Sequence, residues 1–338
     1  MTEDPTEIAV ALTSLDDTSS LGTLVERRLT DGDVRFAVDL GTELWRRYGS
    51  EPNPPWQFGS VFDDILRRLA LRPGMVTETA EFFTTVAVGR RARYVASLLA
   101  TEHTASEMRA LTGNAELSAC LSQELPLRAL PPGRLWARPP HPLSWLPLAL
   151  TPMEKWPDLP RHSLRGTSLS RPGVRVSPVP DGGGPLPSWR ETDAGQIAAA
   201  VNGWQVEARI VTFAEAVTPH AFAGLGLAST EGLTEGFGVC SAADGWHQLF
   251  AAASMGGAYG WGEFGAYGRL AAWRSVAALT GAPPGASAGE VATLAETCTW
   301  VWFGGATGWF GGVMWDIGLA VLSADGRRLA VLAATDTD

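Results

Sequence analysis

The fold turns on residues 318–338, GLAVLSADGRRLAVLAATDTD. Two apolar runs flank Asp325-Gly326, a pair that readily takes the backbone conformation of a tight hairpin turn. The turn alone leaves the register open. A two-residue turn pairs Leu322 with Leu329 and Ala320 with Val331. A three-residue loop with a glycine bulge pairs Val321 with Leu329 and Leu319 with Val331. The second is preferred, because it gathers Ile317, Leu319, Val321, Leu329 and Val331 on one large apolar face. Gly318, Ala320, Ala330 and Ala334 then form a small-residue face that a helix can approach closely. Both faces are apolar, so the hairpin is expected at or near the centre of a sheet.

The register also sorts the carboxylates. Asp336 and Asp338 share a face because the strand period is two. Asp316 joins them only in the bulged register. Converging carboxylates raise one another's pKa or recruit a hard cation. No Asp/Asn-rich loop supplies further oxygens, so no metal and no cofactor is expected; Asp316, Asp336 and Asp338 are the side chains that would serve if one bound.

Working outward, residues 191–338 read as an α+β domain with a small, mainly antiparallel sheet closed by this hairpin. A helix is expected over 194–201 and a strand over "WQVEARIVTF". Ser241 with Asp244, and Ser287 with Glu290, have capping-box spacing. Between them lies "GGAYGWGEFGAYGRLAAWRS", residues 256–275, with six glycines interleaved with aromatics. Glycine costs about 1 kcal/mol against alanine inside a helix, so this density implies close backbone approach or a loop whose amides meet a ligand. As a pocket, the stretch offers Tyr259, Trp261, Glu263, Tyr267, Arg269 and Arg274, with His247 nearby. Pure packing accounts for the same residues, with Glu263 paired internally to Arg274 or Arg269. Neither the dinucleotide fingerprint nor a Walker loop is present, nor a zinc-protease or serine-hydrolase motif.

"FAAASMGGAYGWGEFGAYGRLAAWRSVAAL" and "TGWFGGVMWDIGLAVLSADGRRLAVLAATDTD" resemble an uncharacterised actinobacterial family, a domain of unknown function, most sharply over 240–338. The resemblance implies bacterial origin and carries no assigned chemistry or catalytic residue.

Residues 1–125 read as a helical bundle or short helical-repeat domain. Thr30 and Asp33 are spaced as a capping box ahead of Phe36, Ala37, Leu40, Leu44, Trp45 and Tyr48 at helical period. Gly49 is the expected left-handed stop. A helix follows Pro55, with Val61, Phe62, Ile65 and Leu69 on one stripe, and others are expected over 76–88, 90–100 and 105–121. Residues 126–190 hold 15 of the 23 prolines and nine basic against three acidic residues. They read as a proline-rich basic connector between acidic domains, partly docked through Trp136, Trp145, Trp156 and Trp189.

The net charge of −10 argues against nucleic acid or an anionic membrane as partner. Cys120, Cys240 and Cys298 form no disulfide or zinc pattern. The opening residues are acidic and lack a signal-peptide core, and no long apolar span follows, so the cytoplasm is expected. The leading reading is a non-catalytic protein whose helical half binds another protein and whose C-terminal domain has a possible ligand pocket. The rival is a small-molecule sensor or enzyme. There Glu263 is the working carboxylate, Tyr259 and Tyr267 donate, Arg269 or Arg274 holds an anion, and Asp316 and Asp336 support a cation.

Overall fold

Short polar caps and apolar stripes at helical spacing fold the N-terminal half into helices. The computed structural model describes residues 4–135, 138–180, 182, 185–258, 260, 262–304 and 307–336. Two units result: Met1–Ser144 with Arg161–Ser168, and Trp145–Pro160 with Leu169–Asp338.

The first unit contains α1 (Pro5–Ala11), α2 (Ser19–Thr30), α3 (Val34–Tyr48), α4 (Trp56–Ala70), α5 (Val76–Val86), α6 (Arg90–Glu102) and α7 (Ala115–Leu127). Phe58, Phe62, Ile65 and Leu69 of α4 are buried as their period requires. Three local expectations are corrected. Asp33 alone caps α3, accepting from Phe36 N at 3.1 Å, while Thr30 ends α2. Gly49 is right-handed, with φ −63°. A Cβ there would fall 2.4 Å from the Trp45 ring, so glycine serves for space. The helix expected over 105–121 is divided at Asn114. Its side chain accepts from Leu117 N (2.9 Å) and donates to Thr84 O and Ala87 O (2.9 Å each), ending a 3-10 turn and starting α7.

A small hairpin, β1 (Arg161–Ser163) and β2 (Gly166–Ser168), completes this unit. It inserts His162 against α6. Its Nε2 is hydrogen-bonded to Ser97 Oγ at 2.9 Å and its Nδ1 to Thr167 Oγ1 at 3.0 Å. Arg128 donates to both oxygens of Ser97 at 3.2 Å and pairs with buried Glu124. Burial first, then the Arg128 and Arg67 charges, push the imidazole from 6.5 down to about 3.

The second unit is built on a sheet of β3 (Trp189–Thr192), β4 (Gln205–Phe213), β5 (Phe237–Cys240), β6 (Thr299–Phe303), β7 (Ile317–Leu322) and β8 (Arg328–Thr335). The order is β3-β4-β8-β7-β6-β5 and every pair is antiparallel. The chain is therefore helical in its N-terminal half and α+β in its C-terminal half. The terminal hairpin lies at the centre of the sheet and is buried on both faces.

Its register is the unbulged one, Leu322 opposite Leu329 and Ala320 opposite Val331, correcting the bulged pairing. Ser323 closes a wider loop than the two-residue turn considered above. Its N–H donates to Arg328 O and its carbonyl accepts from Gly326 N, both at 2.8 Å. Its hydroxyl donates to Asp325 and accepts from Arg328 N. The small residues consequently divide between the faces. Ala320, Leu322, Leu329, Val331 and Ala333 pack with Phe213, Phe222, Phe303 and Phe310, and the other face, with Leu319, Val321 and Leu332, meets the helices.

Those helices are α8 (Ala242–Met255), α9 (Phe264–Thr280) and α10 (Ala288–Thr297). The capping boxes at Ser241/Asp244 and Ser287/Glu290 both form. Gly281 ends α9 in the left-handed conformation, φ 74°. The helix expected over 194–201 is instead a run of turns ending in a 3-10 turn, Ala199–Val201. Gly195 has φ 52°, and Ala200 N donates to Ser275 Oγ of α9 at 2.9 Å rather than within a helix.

Residues 145–160 are tied to α9 by a fully desolvated ion pair, Glu154 with Arg269, each with no exposed side-chain surface. Arg269 Nη2 donates to Glu154 Oε2 at 2.9 Å, and Trp273 Nε1 to Oε1 at 2.8 Å. Arg269 also donates to Pro147 O (2.9 Å) and Ala149 O (3.2 Å). Among the described residues, no helix is long and apolar enough to cross a membrane.

Removing one partner of a buried pair strands the other charge, at a cost of about 3–5 kcal/mol. Glu154→Ala is expected to destabilise the second unit by that order in urea denaturation; a change below about 1 kcal/mol would contradict the pair's role. His162 supplies a pH test. Its folded pKa is depressed, so its contribution is complete above pH 6.5 and declines as pH falls toward 3. Wild type is expected to lose more stability between pH 7.5 and 5 than His162→Gln. Asp63, pushed up to about 6 chiefly by burial, titrates in both proteins and cancels from the difference.

Candidate functional site

The terminal strands bring a cleft together at one end of the sheet. β4 and β8 pair with Gln205 opposite Thr335, so Trp204, just before β4, and Asp336, just after β8, stand at the same end. The loop from α8 to α9 closes over them. The resulting cleft, about 340 Å³, is lined by Ala199, Ala200, Asn202, Gly203 and Trp204 from one side. Ala252, Ala253, Gly256, Gly257, Gly260, Gly262 and Glu263 line the other, with Asp336 between. Its size is at the low end for small-molecule sites.

Three glycines make the approach possible. Gly256 turns the chain out of α8 with φ 81°. A Cβ on Gly257 would lie 1.6 Å from Asp336 Oδ2, and one on Gly262 would lie 2.1 Å from Ser254 O. With the space open, Ala258 N donates to Asp336 Oδ2 at 2.7 Å. Glu263 N donates to Ala253 O at 2.7 Å, setting the carboxylate residue at the start of α9. The next residue, Phe264, has φ 56°. A bulky side chain in that region costs about 1–3 kcal/mol and is found where surrounding packing over-determines a site. Phe264 is buried, and Gly268 one turn on lets α9 press on α8, its Cβ position 2.8 Å from Ser254 Cα.

The electrostatics are one-sided. Two carboxylate residues, Glu263 and Asp336, line the cleft, and no Arg, Lys or His does among the described residues. Trp204 is half-buried, with its ring centroid 6.1 Å from that of Trp315 at an interplanar angle of 81°. The neighbouring Val313 and Met314 are exposed.

The other residues singled out in the sequence are dispersed. Tyr259, Trp261, Asp338 and Trp136 lie outside the described residues. Arg269 is sequestered by Glu154, Arg274 is exposed and Tyr267 half-buried on α9, and none of the three lines the cleft. His247 faces residues 154–158; burial lowers its pKa, opposed by Asp158 and Asp244 and by a hydrogen bond to the Lys155 backbone. Asp316 is separated from Asp336, as the unbulged register requires. It accepts from Thr335 Oγ1 at 2.6 Å and Val313 N at 3.0 Å. Among the described residues no group of three metal-ligating side chains occurs.

Ala199 to Trp204 were missed as a wall of the site. Asn202-Gly203 was legible as a turn, yet only the pairing of β4 with β8 carries Trp204 to Asp336. A second polar cluster, in the helical unit, was also missed: Ser97, His162 and Arg128, with Arg67 donating to Tyr94 Oη at 3.0 Å. It does not form a nucleophile. Ser97 has no exposed surface, and the third member of the Ser–His relay is the Thr167 hydroxyl rather than a carboxylate.

No curated protein and no solved structure matches the chain. The profile of a family of unknown function, DUF6183, matches residues 19–338. The match runs from the start of α2 through the whole cleft, and the chain belongs to that family.

Proposed function

We propose that the second unit is a non-catalytic small-molecule-binding module whose cleft takes an organic cation. The observation that carries this reading is the meeting of Glu263, Asp336 and Trp204 around one opening with no basic lining residue among the described residues. A carboxylate beside an indole attracts a positive ligand by charge and by the ring quadrupole. Gly257 and Gly262 let backbone line the cleft without a side chain that would collide. Three cysteines without a bridge suit a reducing cytoplasm.

Thermal-shift and calorimetric titrations with small amines and, in parallel, carboxylates and phosphates test the reading. Amines are expected to raise the melting temperature saturably, equivalent to about 2.7 kcal/mol at a hundred times Kd, and anions to leave it unchanged. Asp336→Asn is expected to weaken amine binding about tenfold, the loss of about 1.4 kcal/mol of charge interaction. Gly257→Ala, which drives a methyl into Asp336, is expected to abolish it. Binding of anions alone would overturn the proposal.

A second reading gives the helical unit a protein partner. It is favoured by Trp56, 59% exposed at the first position of α4, since exposed indoles are common anchors of interfaces. Trp56→Ser in the full chain is expected to reduce partner recovery in a pulldown without changing the melting temperature; unchanged recovery would count against it.

A further inference from the structure

We propose that the β1–β2 hairpin is an acid-sensitive clasp, released from the helical unit when His162 takes up a proton.

The hairpin is held by one side chain. Arg161–Ser168 belong to the first unit, whereas Trp145–Pro160 before them and Leu169–Asp338 after them belong to the second. Within β1 and β2 His162 alone is buried; every other strand residue is exposed or half-exposed. The turn between them, Leu164-Arg165, is exposed as well. A two-stranded hairpin is marginal in water without packing, so its order depends on the inserted imidazole.

The surroundings of that ring suit its neutral form. Tyr94 of α6 meets it edge-on, with ring centroids 6.0 Å apart at 74°. Ser97 and Thr167 hold its two nitrogens. Both hydroxyls can turn to accept from an imidazolium, so hydrogen bonding does not oppose the proton. Burial and charge do. Arg128 of α7 donates to the same Ser97 Oγ at 3.2 Å, and Arg67 of α4 reaches Tyr94 Oη at 3.0 Å. Of the acids near these groups, Glu124 of α7 is paired with Arg128 and Asp64 of α4 with Arg68. Asp63 of α4 acts by charge on Tyr94. Its own pKa, raised to about 6 by burial, removes that charge in acid and leaves Arg67 less offset.

Burial first, then Arg128 and Arg67, hold the docked ring at about 3 against 6.5 when free. The released hairpin therefore binds the proton and the docked one expels it. Docking is complete above pH 6.5 and weakens as pH falls toward 3. Between pH 7.5 and 5 the ratio of released to docked hairpin rises about thirtyfold. The change falls on the hairpin, because its other side chains are not buried.

Hydrogen exchange of the full chain, read by mass spectrometry and corrected for intrinsic pH dependence, tests this. Peptides covering residues 161–168 are expected to lose protection about thirtyfold between pH 7.5 and 5, and those of α6 and α7 less than about threefold. His162→Gln keeps a donor and an acceptor but cannot be protonated, and is expected to hold the hairpin response below about threefold. Asp63→Asn is expected to retain the wild-type response. A hairpin without protection at pH 7.5, or one whose protection changes no more than that of α6 and α7, would overturn the proposal. So would a thirtyfold loss in His162→Gln, or loss of the response in Asp63→Asn. The wild-type comparison needs no variant, so a His162→Gln hairpin already open at pH 7.5 does not remove the test.

Discussion

The second unit depends on one buried ion pair. Glu154 and Arg269 have no exposed side-chain surface, so each charge is tolerable only because the other is present. The remaining valences are filled as well: Thr151 N and Trp273 Nε1 donate to the carboxylate, and the guanidinium donates to Pro147 O and Ala149 O. A pair so completely satisfied admits one arrangement. It fixes residues 147–154 against the second turn of α9, and with them the direction in which α9 begins. Gly268, next to Arg269, allows the same turn to touch Ser254 of α8. The α8–α9 loop thus has both ends anchored, and its path over the sheet end follows.

That path accounts for the strain and the glycines at the cleft. Between Met255 and Phe264 the chain must leave one helix and enter another while passing Asp336. Gly257 and Gly262 give way where side chains would collide, and Phe264 takes a left-handed backbone to restart the helix. The helix-facing side of β7 and β8 carries Ile317, Leu319, Val321 and Leu332, large residues that set the floor. At the sheet end this floor stops, and Trp204, Asp336 and the glycine loop enclose the space that remains.

Much of this was legible in the chain. The central hairpin, both capping boxes and the close backbone approach at Gly257 and Gly262 follow from period, turn chemistry and glycine density. Asp336 was singled out, and so was Glu263. Other features depend on contacts across the sequence. Ser323 widened the turn with two side-chain hydrogen bonds yet kept the register of the two-residue Asp-Gly turn; sorting large from small residues by face favoured the bulged pairing and misled. Arg269 looked available for an anion because its partner, Glu154, lies 115 residues away in a stretch read as connector. Trp204 gained meaning only when Gln205 was found opposite Thr335. His162 lies in a proline-rich region, and only the β1–β2 hairpin places it against Ser97.

The central claim is that small cations enter the cleft beside Trp204 and Asp336. Indole nitrogen–proton NMR of the protein labelled at tryptophan reports it directly, with the Trp204 and Trp315 signals identified by their absence in Trp204→Phe and Trp315→Phe. Titration with tetramethylammonium is expected to move those two signals along one saturable curve, with those of Trp56 and Trp156 unmoved. Saturable shifts at Trp56 or Trp156 with Trp204 and Trp315 unchanged, or no shift at any indole, would contradict it.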